Sequence, residues 1–288
     1  MIKKIGQIAF SALLLGSLAS AEPGLASRDL WFLPLGGEFQ STSEADYMSQ
    51  SLHIEGDTTN YESFTLGQGL SYSLSDEWVL GAKLQYKTQR ESSNTSRSST
   101  SGFVDPVFSA LYRVTDQSYG PVFFDVSFNL SPSFGKSRDN NVLRGSTKID
   151  FKFDLGQDLY DWSYKFTAST SWFSGEHYGA NDSSIQSRFD LGLNGALQYN
   201  VDPQWAAFFE LGILLPGKEQ YNNDSYFEDA SYLFTALGGP KYQFDRDLWA
   251  ALQVYTKYEK GILHVDPTEE YNFHTNTFGV NLALNYIF

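Results

Sequence analysis

Long stretches of the chain alternate between apolar and polar residues with a period of two. After Trp162 it reads Ser163-Tyr164-Lys165-Phe166-Thr167-Ala168-Ser169-Thr170-Ser171-Trp172, which puts rings on one face and small or polar groups on the other. From Arg188 to Tyr199, Phe189, Leu191, Leu193, Leu197 and Tyr199 share one face, and Arg188, Asp190, Asn194 and Gln198 the other. Such a run is a β-strand between an apolar and a polar environment. The runs exceed the roughly 5–6 residues of an ordinary strand and suit the roughly 9–11 needed to cross a bilayer at a tilt. The pattern predicts strands at 29–42, 61–74, 78–90, 102–114, 121–133, 146–157, 162–174, 186–200, 205–217, 230–244, 248–259 and 272–288. Short turns alternate with longer loops near 43–60, 91–101, 134–145, 175–185, 218–229 and 260–271. The expected fold is all-β: a single closed transmembrane antiparallel up-and-down β-barrel of about 12 strands, with short turns and both termini on the periplasmic side.

The turns carry their own repeat. Trp78, Trp162, Trp205 and Trp249 each follow a short acidic turn, at steps of 84, 43 and 44 residues. The member missing from the first step falls near Tyr119, in Asp116-Gln117-Ser118-Tyr119-Gly120-Pro121. Indole rings favour a membrane–water boundary, so the repeat reads as a periplasmic girdle. A soluble propeller has a similar period, but its blades need four short strands where each unit here holds two long ones.

Composition sharpens this picture. Lys3 and Lys4 precede the apolar run Ile8 to Leu18 and the small-x-small site Ala19-Ser20-Ala21, so residues 1–21 read as a signal peptide and 22–288 as the barrel. The chain has no cysteine, which excludes disulfides and thiolate metal sites. The formal charge is -14, two units more negative once Lys3 and Lys4 are lost, and this argues against nucleic acid as a partner. An exported barrel belongs in the outer membrane of a Gram-negative bacterium, with lipid and lipopolysaccharide around it.

In the last predicted strand, Phe278, Val280, Leu282, Leu284, Tyr286 and Phe288 alternate with Gly279, Asn281, Ala283 and Asn285. A final strand ending in an aromatic residue resembles the signal read by the outer-membrane barrel assembly machinery. That strand must also pair with the first, because an open edge in lipid leaves backbone groups unsatisfied.

Projected inward, the alternation gives a lumen with charges of both signs. The bases are Lys83, Lys87, Arg113, Lys148, Lys152, Lys165, Arg188, Lys241 and Lys257; the acids are Glu38, Asp105, Asp125, Asp150, Asp154, Asp190, Glu210 and Glu259. Counted from the turns, Lys83, Asp125, Lys152, Lys165 and Glu210 are expected at similar height. They form either a self-neutralised packing network or an eyelet that orients a polar solute, with weak ion selectivity in either case. Gly279, Ala283, Gly36, Gly67, Gly69, Ser71 and Gly81 form a wall of small residues along which a channel would run. The pore-lining candidates are therefore Lys83, Asp125, Asp150, Lys152, Lys165, Glu210, Gly67, Gly69 and Gly81.

The four histidines, His53, His177, His264 and His274, fall in or beside predicted loops. No nucleophile motif accompanies them, so no catalytic residue is assigned. Asp224, Glu228, Asp229, Asp266, Glu269 and Glu270 are acidic loop groups suited to divalent cations that bridge lipopolysaccharide, but no spacing forms a dedicated metal or cofactor site.

Around residues 102–165, Gly102-Phe103-Val104-Asp105, Leu111-Tyr112-Arg113, Gly120-Pro121, Ser131-Pro132, Phe151 to Gly156 and Asp161-Trp162-Ser163 carry a family pattern. This part of the chain resembles the outer-membrane transporter family of the MetA pathway of phenol degradation. The pattern differs at Val104, where that family tends to have glycine, and at Ser133-Phe134, where it tends to have Thr-Gly. The resemblance implies uptake of small solutes, aromatic or hydrophobic compounds among them, by passive or gated diffusion. A rim enzyme of lipase or protease type, or a structural or adhesive barrel with a plugged lumen, are the alternatives. The fatty-acid transporter type of barrel carries an N-terminal plug, for which Glu22 to Arg28 is too short.

Overall fold

A computed structural model of the chain describes residues 30–93, 96–116, 122–134, 145–159, 161–178, 183–220, 227–266 and 269–288. The segment read as a signal peptide lies outside them, as does Tyr119. The strands are β1 (Phe39–Ile54), β2 (Asp57–Ser73), β3 (Trp78–Ser92), β4 (Arg97–Phe103), β5 (Val107–Thr115), β6 (Phe123–Ser131), β7 (Lys148–Leu159), β8 (Trp162–Phe173), β9 (Glu176–Tyr178), β10 (Ser183–Ile185), β11 (Arg188–Asn200), β12 (Trp205–Leu215), β13 (Glu219–Gln220), β14 (Phe227–Gln243), β15 (Leu248–Asp266) and β16 (Glu269–Ile287). β4 and β5 both pair with β3 and make one stave, interrupted at residues 104–106. β13 pairs with β14 beyond the end of β12, and β9 and β10 form a separate hairpin. What remains is a ring of 12 antiparallel staves, closed by β1 against β16 and by β12 against β14.

The alternation read from the sequence governs which way each side chain points. Phe64, Leu66, Leu84, Phe151, Phe153, Phe166, Leu191, Leu193, Leu211 and Leu282 are exposed on the outside. Their neighbours in sequence, Ser63, Lys165, Asp154, Asp190 and Asn281 among them, are buried inside. An apolar exterior around a polar interior is the arrangement of a barrel in lipid. Cross-strand aromatic pairs mark the end with the short turns: Trp78 with Tyr112, Trp162 with Tyr199, and Trp205 with Tyr242, at ring separations of 4.5–4.6 Å. Phe39 and Phe288 stack at 5.7 Å where the first and last strands meet.

Three expectations are corrected. The first strand was expected at 29–42 and runs instead from Phe39 to Ile54, so most of the loop at 43–60 is strand. It ends in a two-residue turn at Glu55 and Gly56, with φ of 45° and 94°, the left-handed pair that a tight hairpin requires. The loops at 91–101 and 260–271 are likewise mostly strand. Once a stave leaves the apolar band, polar residues suit both of its faces and the apolar alternation stops. Backbone pairing carries the strand on regardless.

The third correction is Trp249, which is 1% exposed and points inward, its ring edge-on to Phe32 at 5.5 Å. The turns explain this. Asp202 accepts from the N–H groups of Gln204 and Trp205, and Asp245 accepts from those of Asp247 and Leu248. Leu248 therefore occupies the place of Trp205, and Trp249 lies one residue further on. A shift of one residue moves a side chain to the opposite face.

Phe166, 61% exposed, lies on the outer apolar face. Phe166→Arg should destabilise the barrel by about 2–4 kcal/mol, as read from urea unfolding in lipid vesicles.

Candidate pore and its mouth

Among the inward residues named from the sequence, Lys87, Asp105, Asp125, Asp150, Asp154, Lys165, Arg188, Asp190, Glu210, Lys241, Lys257 and Glu259 are buried. Lys83, Arg113 and Lys148 are nearly so, and Lys152 is partly exposed on the same inner face. Glu38 is the exception: it precedes β1 and accepts from the N–H of Leu35 in a turn. Glu44 and Asp46 belong to the inner face but fell inside the expected loop at 43–60. With them, the named inward bases and acids are equal in number.

The acids are held mainly by their own wall. Lys148 pairs with Asp150 at 2.9 Å, and Arg188 with Asp190 at 3.3 Å. Ser171 and Thr167 donate to Asp150 and Asp154, each at 2.5 Å. The five residues expected at one height are spread over several cross-strand rows. Lys165 and Glu210 share a row through Ala196. Asp125 lies in a row with Asp154 and Thr167, and Lys152 in one with Ser127 and Ser169. Lys83 stands on β3, registered with Gly69 and Val107.

The small residues act as floors beneath side-chain bridges. Lys83 on β3 donates to Glu44 on β1 at 2.5 Å, arching over Gly67 of the stave between them. A Cβ on Gly67 would come within 3.3 Å of Lys83 Cε. Tyr255 on β15 donates to Asp46 on β1 at 3.2 Å and covers Gly279 of β16, where a Cβ would clash with Tyr255 Cζ. Gly69 keeps ordinary van der Waals room, and Gly81 lies against Ser109. Gly36 is not part of this wall. It is an exposed turn residue donating to Asp76 at 2.8 Å.

The mouth beside the short turns is occupied. Leu30 and Trp31, expected near the start of the first strand, are instead buried inside the ring against Ala196 and Phe208, with Phe123 and Leu237 alongside. Trp31 stacks on Phe123 at 5.1 Å and donates from Nε1 to the carbonyl of Tyr164 at 3.2 Å. Arg113 donates to both oxygens of Asp125 at 2.9 Å and, through Nη2, to the carbonyl of Trp31 at 2.7 Å. Glu22 to Arg28, read as too short to form a plug, lies outside the described residues; the filling comes from Leu30 and Trp31, which were expected in the first strand. In the sequence this segment reads as strand, because Leu30, Phe32 and Pro34 alternate with Trp31 and Leu33 in a run that is apolar throughout, which periodicity cannot divide.

On the other side of the charged belt, Met48, Leu52, Tyr61, Leu233, Leu263 and Phe273 are buried on the inner faces of β1, β2, β14, β15 and β16. Three of the six, Met48, Leu52 and Leu263, fall in stretches expected to be loop, which hides the collar in the sequence. Among the described residues no group of three or more metal-ligating side chains gathers. The side chains of His177, His264, Asp224, Glu228, Asp229, Asp266 and Glu269 lie outside those described.

No family model matches the chain, and no curated protein matches it in sequence. Its fold is that of outer-membrane β-barrels. It superposes on an outer-membrane channel termed COG4313 from Pseudomonas putida F1 with a TM-score of 0.63 and 17% identity, covering 93% of this chain and all of that one. The transport unit of the autotransporter AIDA-I from Escherichia coli gives 0.52 at 9% identity over 94% of this chain and 96% of the other. The translocator domain of the autotransporter NalP from Neisseria meningitidis gives 0.51 at 10% identity over 96% and 97%.

The absence of native cysteine makes the mouth testable. A thiol placed by Leu30→Cys should be protected from a water-soluble maleimide, and adding Arg113→Met should speed its labelling about tenfold or more, the effect of losing a charge-assisted hydrogen bond of about 1.5–3 kcal/mol.

Proposed function

We propose that the protein is a channel of the Gram-negative outer membrane that passes small solutes by gated diffusion. The observation that carries this reading is the layered lumen: an apolar collar, then a belt of paired charges, then a mouth occupied by Leu30 and Trp31. Such a path favours a compact solute with an apolar body and a polar group, because the collar accepts the first and the belt the second. Aromatic or hydrophobic compounds bearing a hydroxyl or carboxylate fit that description. The resemblance to transporters of the MetA pathway of phenol degradation points the same way. Residues 1–21 serve as the export signal in this reading, and the strand ending in Phe288 engages the barrel assembly machinery.

The occupied mouth also favours a second reading, a plugged barrel whose loops do the work. Planar bilayers separate the two. A channel gives discrete conductance steps that rise when Trp31→Ala clears the mouth and fall when Gly67→Phe and Gly69→Phe narrow the lumen. A barrel silent both as wild type and as Trp31→Ala would overturn the channel reading.

With the named inward charges balanced, the open channel should show a reversal potential near zero in a salt gradient. Glu44→Gln, which leaves Lys83 without its partner acid, should shift that potential toward anion preference.

A further inference from the structure

We propose that His53 and His274 form a binding site for a divalent transition-metal ion that staples the seam where the barrel closes. His53 stands on the first strand and His274 on the last, and the two are directly opposite each other in the β1–β16 ladder. Their rings stack with centroids 4.6 Å apart and planes 18° from parallel. Both are partly exposed on the outer face. They lie six residues beyond Tyr47 and four before Phe278, so His53 is about 20 Å along its strand from the last aromatic residue of the belt on β1.

Two features of this pair suit a metal. Thr58 Oγ1 lies 3.0 Å from His53 Nδ1, an outer contact that fixes the ring and leaves Nε2 open. Two imidazole nitrogens each about 2.0–2.1 Å from one zinc ion stand roughly 3.3 Å apart in tetrahedral geometry, a spacing these cross-strand partners reach when the His274 ring turns out of the stack so that both ring planes meet at the ion. Water completes the coordination. Imidazole donors select zinc, copper or nickel over calcium or magnesium. The charged neighbours carry both signs. Lys260 is registered with His274 on β15, Glu55 and Asp57 flank the hairpin tip beside His53, and Glu270 lies four residues from His274 on the same strand.

The site has a mechanical consequence. β1 and β16 are joined only by backbone hydrogen bonds and side-chain contacts, and here they extend beyond the apolar band, where water competes for those bonds. An ion shared by the two strands holds the far end of the seam together and stabilises the folded barrel by mass action.

The test uses the full chain, refolded in detergent micelles and freed of metal with a chelator, titrated with zinc chloride in a calorimeter. One ion should bind per barrel. His53→Ala and His274→Ala should each weaken binding about tenfold or more, as should Thr58→Val, which keeps both ligands and removes the outer contact. Zinc should raise the temperature at which the wild-type barrel loses its folded gel mobility and should not do so for either alanine variant. That mobility also confirms that each variant is folded. Absence of binding, undiminished binding in both alanine variants, or loss of binding in His177→Ala or His264→Ala alone would overturn the proposal.

Discussion

The structure depends on satisfying every backbone N–H and C=O within a medium that offers none in return. Each stave pairs on both sides, and the requirement is most severe where β1 meets β16, because the two ends of the chain must find each other. They do so over Gln40–Ile54 and Phe273–Ile287, with Phe39 and Phe288 exchanging the last pair of backbone bonds. Closure fixes which face is outside. The alternation then delivers apolar residues to lipid and polar ones to the lumen, and the turn aromatics settle at the boundary.

Given a closed ring, the interior must be filled or hydrated, and it is filled unevenly. Bridges such as Lys83 to Glu44 and Tyr255 to Asp46 span an intervening stave because glycine leaves room beneath them. The charged belt is in this sense a packing device as much as a lining, since most of its acids are partnered by residues of the same wall. At the mouth the work is done by the chain's own N-terminal segment, with Trp31 wedged against Phe123 and tethered by Arg113.

Much of this was legible in the residues because the membrane imposes a period. Staves β6 to β12 were anticipated nearly to their ends, since each crosses lipid with one face apolar throughout. The burial of Lys165, Asp154, Asp190 and Glu210 follows from the same alternation. Legibility failed where that pressure lapses. Beyond the apolar band, residues 43–54 and 260–266 no longer keep one face apolar and the other polar, since Met48, Leu52 and Leu263 turn inward, so the alternation lapses and Glu44, Asp46 and His53 fall in stretches expected to be loop. It failed also where lipid-like surroundings lie inside the barrel, since an apolar run such as Leu30 to Leu35 has no period to read. His53 and His274 stand at opposite ends of the chain, and no spacing in the sequence announces that they meet.

The sequence by itself determined the strand number, the orientation of most side chains and the gathering of the short turns at one end of the barrel. Each follows from a local rule of period two and from the preference of indole rings for an interface. Only the tertiary structure decided which inward residues touch, that Trp249 turns in where its three counterparts turn out, and that the segment before β1 enters the lumen. The contacts and the entry of that segment depend on register between strands distant in sequence, and Trp249 on the hydrogen bonds of its own turn, where a shift of one residue reverses the face.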